Sequence, residues 1–244
     1  MRPKSDRCWE RQLRYFADKL PSGVLFDFDG VVLDTLPLHW QAWRLAITDL
    51  LGEQVPIDTS ALAGAATSAI ALNLSSAYDL DKKELINRKQ EKLHWLSERV
   101  AAGDRASELG VPPSVMPQKI AGIVDFLRFL KKMGIAHGIA SNAPREYVCR
   151  LLASVPDLCF SEVIGMEEGR QKPQPDKYLL LAKRLRLGVA IHSSIVVFED
   201  TPHGILAARR AGMRAFGLSS QLSGEQLVAA GAEKTISDYR QLGV

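Results

Sequence analysis

Val24-Leu25-Phe26 runs straight into Asp27-Phe28-Asp29-Gly30, which sets two carboxyl groups two residues apart at the end of an apolar run. The β-branched and aromatic residues favour a buried strand, and Gly30 lets the backbone leave it. Two acids so placed repel one another unless a cation or a proton compensates, and that cost argues for a use. Taken alone, an Asp-x-Asp-Gly is most often a solvated acidic turn. An EF-hand loop is excluded, because no third ligand pair and no closing glutamate follow.

Two further apolar runs and one proline-braced loop carry residues of matching character. Ile139-Ala140 is followed by Ser141-Asn142 and by Pro144 opening a helix. A hydroxyl and free amides at a helix start suit an oxyanion, although simple N-capping is the commoner reason for such a pair taken alone. Lys172 stands in a loop braced by Pro173 and Pro175 just before another helix. Ser194-Ile195-Val196-Val197-Phe198 delivers Glu199-Asp200, with Thr201-Pro202 opening the next helix. Each signal is weak singly; together, acids at two strand ends with one lysine and one Ser-Asn pair are a poor fit to coincidence.

These residues must be positioned by the elements between them. Apolar runs predict strands at Ile135–Ala140, Glu162–Ile164, Ser194–Phe198 and, finally, Arg214–Leu218. Helical patterns predict helices at Ile120–Lys132, Ala143–Ser154, Asp176–Leu187 and Pro202–Ala211, with Gly134 and Gly212 as stop signals. Such alternation argues for a parallel sheet flanked by helices, with ligands at the carboxyl ends of its strands. Between Pro37 and Pro113 there is almost no strand signal. Pro37–Leu51 and the charged Asp81–Val100 read instead as amphipathic helices. The expected organisation is therefore a core of residues 20–36 and 114–244, a helical cap of residues 37–113 over the ligand edge, and an N-terminal extension of residues 1–19.

In order and type, Asp27-Phe28-Asp29-Gly30, Ser141-Asn142, Lys172-Pro173 and Glu199-Asp200 resemble the four motifs of the haloacid dehalogenase superfamily. The flanks agree: Asp34-Thr35, Pro37, His39 and Trp43 after the first motif, and Thr201-Pro202-His203-Gly204-Ile205 with Ala211-Gly212-Met213 in the last. The likeness runs from Val24 to about Leu218 and is nearest the branch of beta-phosphoglucomutases and small sugar-phosphate phosphatases. It implies an α/β fold, a Rossmann-like parallel sheet with helices on both faces and an inserted α-helical cap. It also implies that Asp27 is a nucleophile toward phosphorus and Asp29 the acid and base. Ser141, the Asn142 amide and Lys172 would hold the phosphoryl oxygens. Mg²⁺ would sit on Asp27, the Asp29 backbone carbonyl and Asp200, with Glu199 either ligating or orienting a ligated water. His203 belongs to the start of the last motif's helix and reads as structural.

In the cap, the resemblance offers His39 and Lys89 as candidate substrate contacts. His39 could hydrogen-bond Asp29 or a sugar hydroxyl, or be packed hinge structure beside Trp40 and Trp43; Lys89 lies in so charged a helix that a solvated face is its expected place. One departure bears on substrate. The mutases carry an arginine soon after a cap glycine for a second phosphate, whereas Leu62-Ala63-Gly64-Ala65-Ala66-Thr67-Ser68 is neutral. The expectation is thus a hydrolase of small monophosphates, with a phosphomutase as alternative because Arg88 or Lys92 could substitute. Dehalogenation uses neither a second acid nor a metal, and a non-catalytic phosphate-binding module would lose a motif residue; neither fits the intact set.

Composition sets the outer bounds. The chain has 244 residues, 46% hydrophobic and 24% charged, with a net charge of +3 and no Lys/Arg run, so no nucleic-acid surface is expected. Three cysteines, Cys8, Cys149 and Cys159, without metal-like spacing fit a reducing cytoplasm. No apolar run spans a bilayer and no signal peptide is legible around Arg11–Phe16, so no membrane partner is expected. Asn73-Leu74-Ser75 matches a glycosylation acceptor by chance. The remaining expectation is a monomer or weak homodimer acting on a small phosphorylated metabolite.

Overall fold

The computed structural model describes residues 16, 20–59, 62, 65 and 67–243. Apart from Phe16, the N-terminal extension lies outside the described residues. In chain order the elements are β1 Gly23–Phe26, β2 Leu33–Asp34, α1 Leu36–Leu51, α2 Thr67–Tyr78, α3 Lys82–Ala101 and β3 Gln118–Lys119. They continue with α4 Ile123–Lys132, β4 Ala136–Ala140, α5 Arg145–Ala153, β5 Val163–Ile164 and α6 Asp176–Arg184. The last are β6 Ile195–Glu199, α7 Pro202–Arg210, β7 Arg214–Leu218, α8 Gly224–Ala229 and β8 Lys234–Ile236. The chain divides at Asp34 and Lys119 into a discontinuous α/β unit and the intervening helical unit Thr35–Gln118.

The α/β unit is built on six parallel strands in the order β5-β4-β1-β6-β7-β8. β1 is buried throughout and sits between β4 and β6, with Phe26 level with Ile139 on one side and Phe198 on the other. The order reverses at β1, and in such sheets ligands gather beyond the carboxyl ends of the strands at that switch. Side-chain alternation divides the core in two. Leu25, Val197 and Ala215 face Tyr178 and Leu181 of α6, Ile205 and Ala208 of α7 and Leu227 of α8. On the opposite face Phe26, Phe198 and Phe216 lie side by side in register. Their ring centroids are 5.6 and 5.7 Å apart, and Phe126 of α4 and Tyr239 close over them. This aromatic layer holds the three central strand ends level.

The helical unit packs α1, α2 and α3 around Trp40, Trp43, Ala46, Ile47, Leu62, Ala71, Leu74 and Leu85. Asp81 caps α3 by accepting the Glu84 amide at 2.7 Å. The helix α2 was not legible in the sequence, because its buried positions are Ala71, Leu74 and Ser75 and give no strong apolar period.

Several boundaries differ from expectation for local reasons. α4 begins at Ile123 rather than Ile120, since Gly122 is left-handed (φ 79°) and a Cβ there would lie 2.6 Å from the Arg240 amide. Pro144 is extended (ψ 136°), which delays α5 to Arg145, and the positive φ of Arg186 ends α6 early. Arg214–Leu218 is not the final strand: α8 and β8 follow, and β8 extends the sheet through Phe216, Gly217 and Leu218. A three-residue strand with only Ile236 buried has too short a pattern to read. Replacing Phe198 by Ala removes the middle ring of the aromatic layer and should cost about 3–5 kcal/mol of stability, measured by denaturant unfolding.

Candidate active site

The first strand ends in a turn that begins at Phe28, between the two acids. The Asp27 amide still bonds the Phe198 carbonyl at 3.0 Å, as a further residue of the β1–β6 ladder. The chain then leaves the sheet at Phe28, whose carbonyl accepts the amides of Val31, Val32 and Leu33 at 3.2, 2.9 and 3.4 Å. Gly30 closes the turn with φ 75°, its N–H donating to the Leu33 carbonyl at 2.7 Å. A Cβ on Gly30 would sit 2.3 Å from Asp200 Oδ2, so the glycine serves close approach as well as the turn. Asp29, between Phe28 and Gly30, accepts the Tyr147 hydroxyl on its Oδ1 at 3.2 Å.

Lys172 is the centre of the cluster. Its Nζ donates to Asp27 Oδ1 and to Glu199 Oε1, each at 2.6 Å, with only 4% of the side chain exposed. The Tyr178 ring lies beneath it, 4.8 Å from Nζ to the centroid, and the Tyr178 hydroxyl donates to the same Glu199 oxygen at 2.5 Å. Glu199 Oε2 accepts from the Thr201 hydroxyl at 3.3 Å. Glu199 is fully buried against Gly204, where a Cβ would approach within 1.8 Å of its carboxyl carbon. Its oxygens are thus committed to protein donors. Asn142, expected to offer its backbone amide to an anion, uses its side chain on the lysine loop. Oδ1 accepts the Lys172 amide at 3.0 Å and Nδ2 donates to the Lys172 carbonyl at 3.4 Å. Ser141 is buried; its Oγ accepts the Ala143 amide at 3.0 Å, which leaves its O–H to donate.

Asp200 is the odd member. Oδ2 accepts from Ser220 Oγ and Gln221 Nε2, both at 2.9 Å, while the buried Oδ1 has no hydrogen-bond partner. Oxygens of Asp27, Glu199 and Asp200 all lie within 4.8 Å of one another. With all three ionised, one ammonium leaves two negative charges uncompensated. Burial first, then the charges of Glu199 and Asp29, push Asp27 from 3.8 up to about 7 against the opposing pull of Lys172. Burial together with Asp27 and Glu199 drives Asp200 well above the usual carboxylate range. Burial pulls Lys172 down, but Asp27 and Glu199 outweigh it and hold the ammonium above the ordinary lysine value. An all-oxygen donor set with an orphaned buried carboxylate oxygen and excess negative charge fits a hard divalent cation. The Asp29 carboxyl is not part of this oxygen cluster.

In the helical unit, His39 Nδ1 and Lys89 Nζ lie 3.1 Å apart, with Nζ 5.6 Å above the Trp43 ring. The expected solvated face for Lys89 is overturned, since the residue is only 4% exposed. Lys82, Lys83, Glu84 and Glu91 are exposed on α3, whereas the long Lys89 stem follows the apolar side inward. His203 is exposed at the start of α7. Of the neutral cap stretch, Ala63, Gly64 and Ala66 lie outside the described residues. Four contributors went unread in the sequence. Tyr178 and Tyr147 sit inside helical patterns that look like core, and Ser220 and Gln221 follow a strand end that carried no acid. The position of Ser220 and Gln221 just beyond β7, next to β6, was the one available signal.

The carboxyl edge of this doubly wound parallel sheet therefore carries an acid–lysine cluster and an oxygen set able to hold a cation. A family model described as "haloacid dehalogenase-like hydrolase" matches residues 21–212, and the chain belongs to that family. It is 28% identical to the phosphorylated carbohydrates phosphatase of Thermotoga maritima, over 91% of this chain and 96% of that one. It is 32% identical to a fructose-1-phosphate phosphatase of Escherichia coli, over 80% and 94%. With a beta-phosphoglucomutase of Bacillus subtilis it shares 28%, over 80% and 82%.

The elevated Asp27 carboxyl has a measurable consequence. Its folded value lies above the ordinary 3.8, so the metal-free protein should lose stability as pH rises from about 4 to about 7. A divalent cation that replaces the proton should restore it. The gain in melting temperature on adding Mg²⁺ should therefore be larger at pH 8 than at pH 5.5; equal gains would contradict the shift.

Proposed function

We propose that this protein is a Mg²⁺-dependent phosphatase that hydrolyses a small phosphomonoester, a sugar phosphate or a compound like phosphoglycolate, by way of an aspartyl-phosphate. The observation that carries the reading is Lys172 Nζ held between Asp27 and Glu199 beside the unpartnered Asp200 Oδ1. Asp27 is the nucleophile: one of its oxygens attacks phosphorus as the bond to the leaving alcohol breaks. Asp29 gives that alcohol its proton, and later takes one from the water that attacks the phosphorylated Asp27 and frees inorganic phosphate. Lys172, the Ser141 hydroxyl and the Asn142 backbone amide hold the phosphoryl oxygens, where fixed charge supplies much of the rate.

Asp27, Asp200 and the Asp29 backbone carbonyl are the assigned holders of Mg²⁺. When bound, the ion screens the repulsion between the carboxylate and the phosphate dianion. Glu199 is assigned to Lys172, on the ground that its oxygens already accept from Lys172, Tyr178 and Thr201. His39 and Lys89 are the proposed polar pair for the remainder of the substrate. The names of the two phosphatase relatives support a phosphorylated sugar. Free Cys149 and Cys159 support a reducing, cytoplasmic setting, and no helix among the described residues is long and apolar enough to cross a membrane.

A phosphomutase is the second reading, favoured by the beta-phosphoglucomutase relative and opposed by the neutral Leu62–Ser68 stretch. Released phosphate from a panel of phosphorylated metabolites decides for hydrolysis, and conversion of beta-glucose 1-phosphate to glucose 6-phosphate decides for the mutase. Asp27→Asn should bring phosphate release to background with the fold retained by circular dichroism. Chelation of Mg²⁺ should do the same to the parent protein, reversibly.

A further inference from the structure

The acid Asp29 stands on a turn, where hydrogen bonds to its carboxyl fix which oxygen is presented for proton transfer. The Tyr147 hydroxyl supplies a tether by donating to Asp29 Oδ1 at 3.2 Å. Tyr147 is itself fixed. It is 4% exposed in the first turn of α5, and its ring meets that of the fully buried Phe28 edge-on, at 6.1 Å and 89°. Phe28 lies between the two acids in sequence, so the ring that seats Tyr147 is anchored in the same turn. α5 follows Ser141 and Asn142 directly, and one strand–helix connection therefore serves both the phosphate side and the acid. A phenylalanine would pack the same ring; the hydroxyl adds the bond to Asp29.

We propose that Tyr147 is a positioning residue that orients Asp29 for proton transfer to the leaving alcohol, an inference that rests on the role given to Asp29 above. With Oδ1 accepting the phenol hydrogen, the proton that Asp29 delivers is carried on Oδ2. As the phosphorus–oxygen bond to the alcohol breaks, its electron pair goes to the alcohol oxygen. That oxygen takes the Oδ2 proton, and Asp29 is left as the carboxylate, still accepting from Tyr147. No other reactant enters. The tether matters in proportion to how strongly the leaving group demands a proton: greatly for an alkyl phosphate, little for an aryl phosphate whose phenolate departs unaided.

The test compares kcat/KM for a sugar phosphate that the parent hydrolyses with kcat/KM for 4-nitrophenyl phosphate, in the Mg²⁺-loaded protein. Tyr147→Phe should lose about tenfold or more on the sugar phosphate and less than about threefold on the aryl ester. Tyr147→Met, which removes the ring as well, should show at least the same selectivity. The ratio of the two values is independent of the active fraction, so a poorly folded variant still reads out. Asp29→Asn is the reference. Selective loss in Asp29→Asn with equal losses in Tyr147→Phe overturns the proposal and leaves the acid assignment standing. Equal losses in Asp29→Asn overturn both.

Discussion

The Lys172 ammonium between Asp27 and Glu199 is the interaction on which the rest of the centre depends. Removing such ions from water is costly, and a buried pair is sustained only when its geometry is good and the remaining oxygens find donors. Here they do: Tyr178 and Thr201 complete Glu199, and the Asn142 side chain grips the lysine loop by its backbone. Gly204 and Gly30 let the carboxylates approach where any Cβ would collide. The charge is nonetheless left unbalanced, and one buried oxygen, Asp200 Oδ1, has no hydrogen-bond partner. A buried oxygen site held by one ammonium and short of positive charge is suited to a hard divalent cation.

That interaction exists because the sheet aligns strand ends that are far apart in the chain. Asp27 and Lys172 are 145 residues apart in sequence, and Lys172 and Glu199 are 27 apart. β1 between β4 and β6 makes neighbours of their carboxyl ends, and the register of Phe26 with Phe198 fixes Asp27 and Glu199 at nearly the same level. The aromatic layer on one face and the α6–α8 layer on the other keep that register, since a slip by one residue would exchange the two faces. Fold stability and site geometry are therefore maintained by the same contacts.

Much of this was legible because Asp27, Ser141 and Glu199 fall at the ends of largely apolar runs, where a parallel sheet must present its ligand edge. The strands around Asp27, Ser141 and Glu199 could be read from burial-grade residues alone. The supporting residues could not. Tyr147, Tyr178, Ser220 and Gln221 have no spacing that marks them, because their partners belong to other strands. Lys89 was misread for the same reason: a lysine in a charged helix declares nothing about which face it occupies. α2 and β8 were missed because small or very short elements carry too few buried side chains to print a period.

The sequence by itself determined the element alternation, the family motifs and which side chains could act, since these follow from local chemistry and pattern. Only the tertiary structure decided which oxygen is paired and which is left over. Only it set Asn142 on the lysine loop, Tyr147 on Asp29 and Lys89 inside its unit. Pairing and burial are properties of chain segments brought together across the sheet, and no single segment contains the information that sets them.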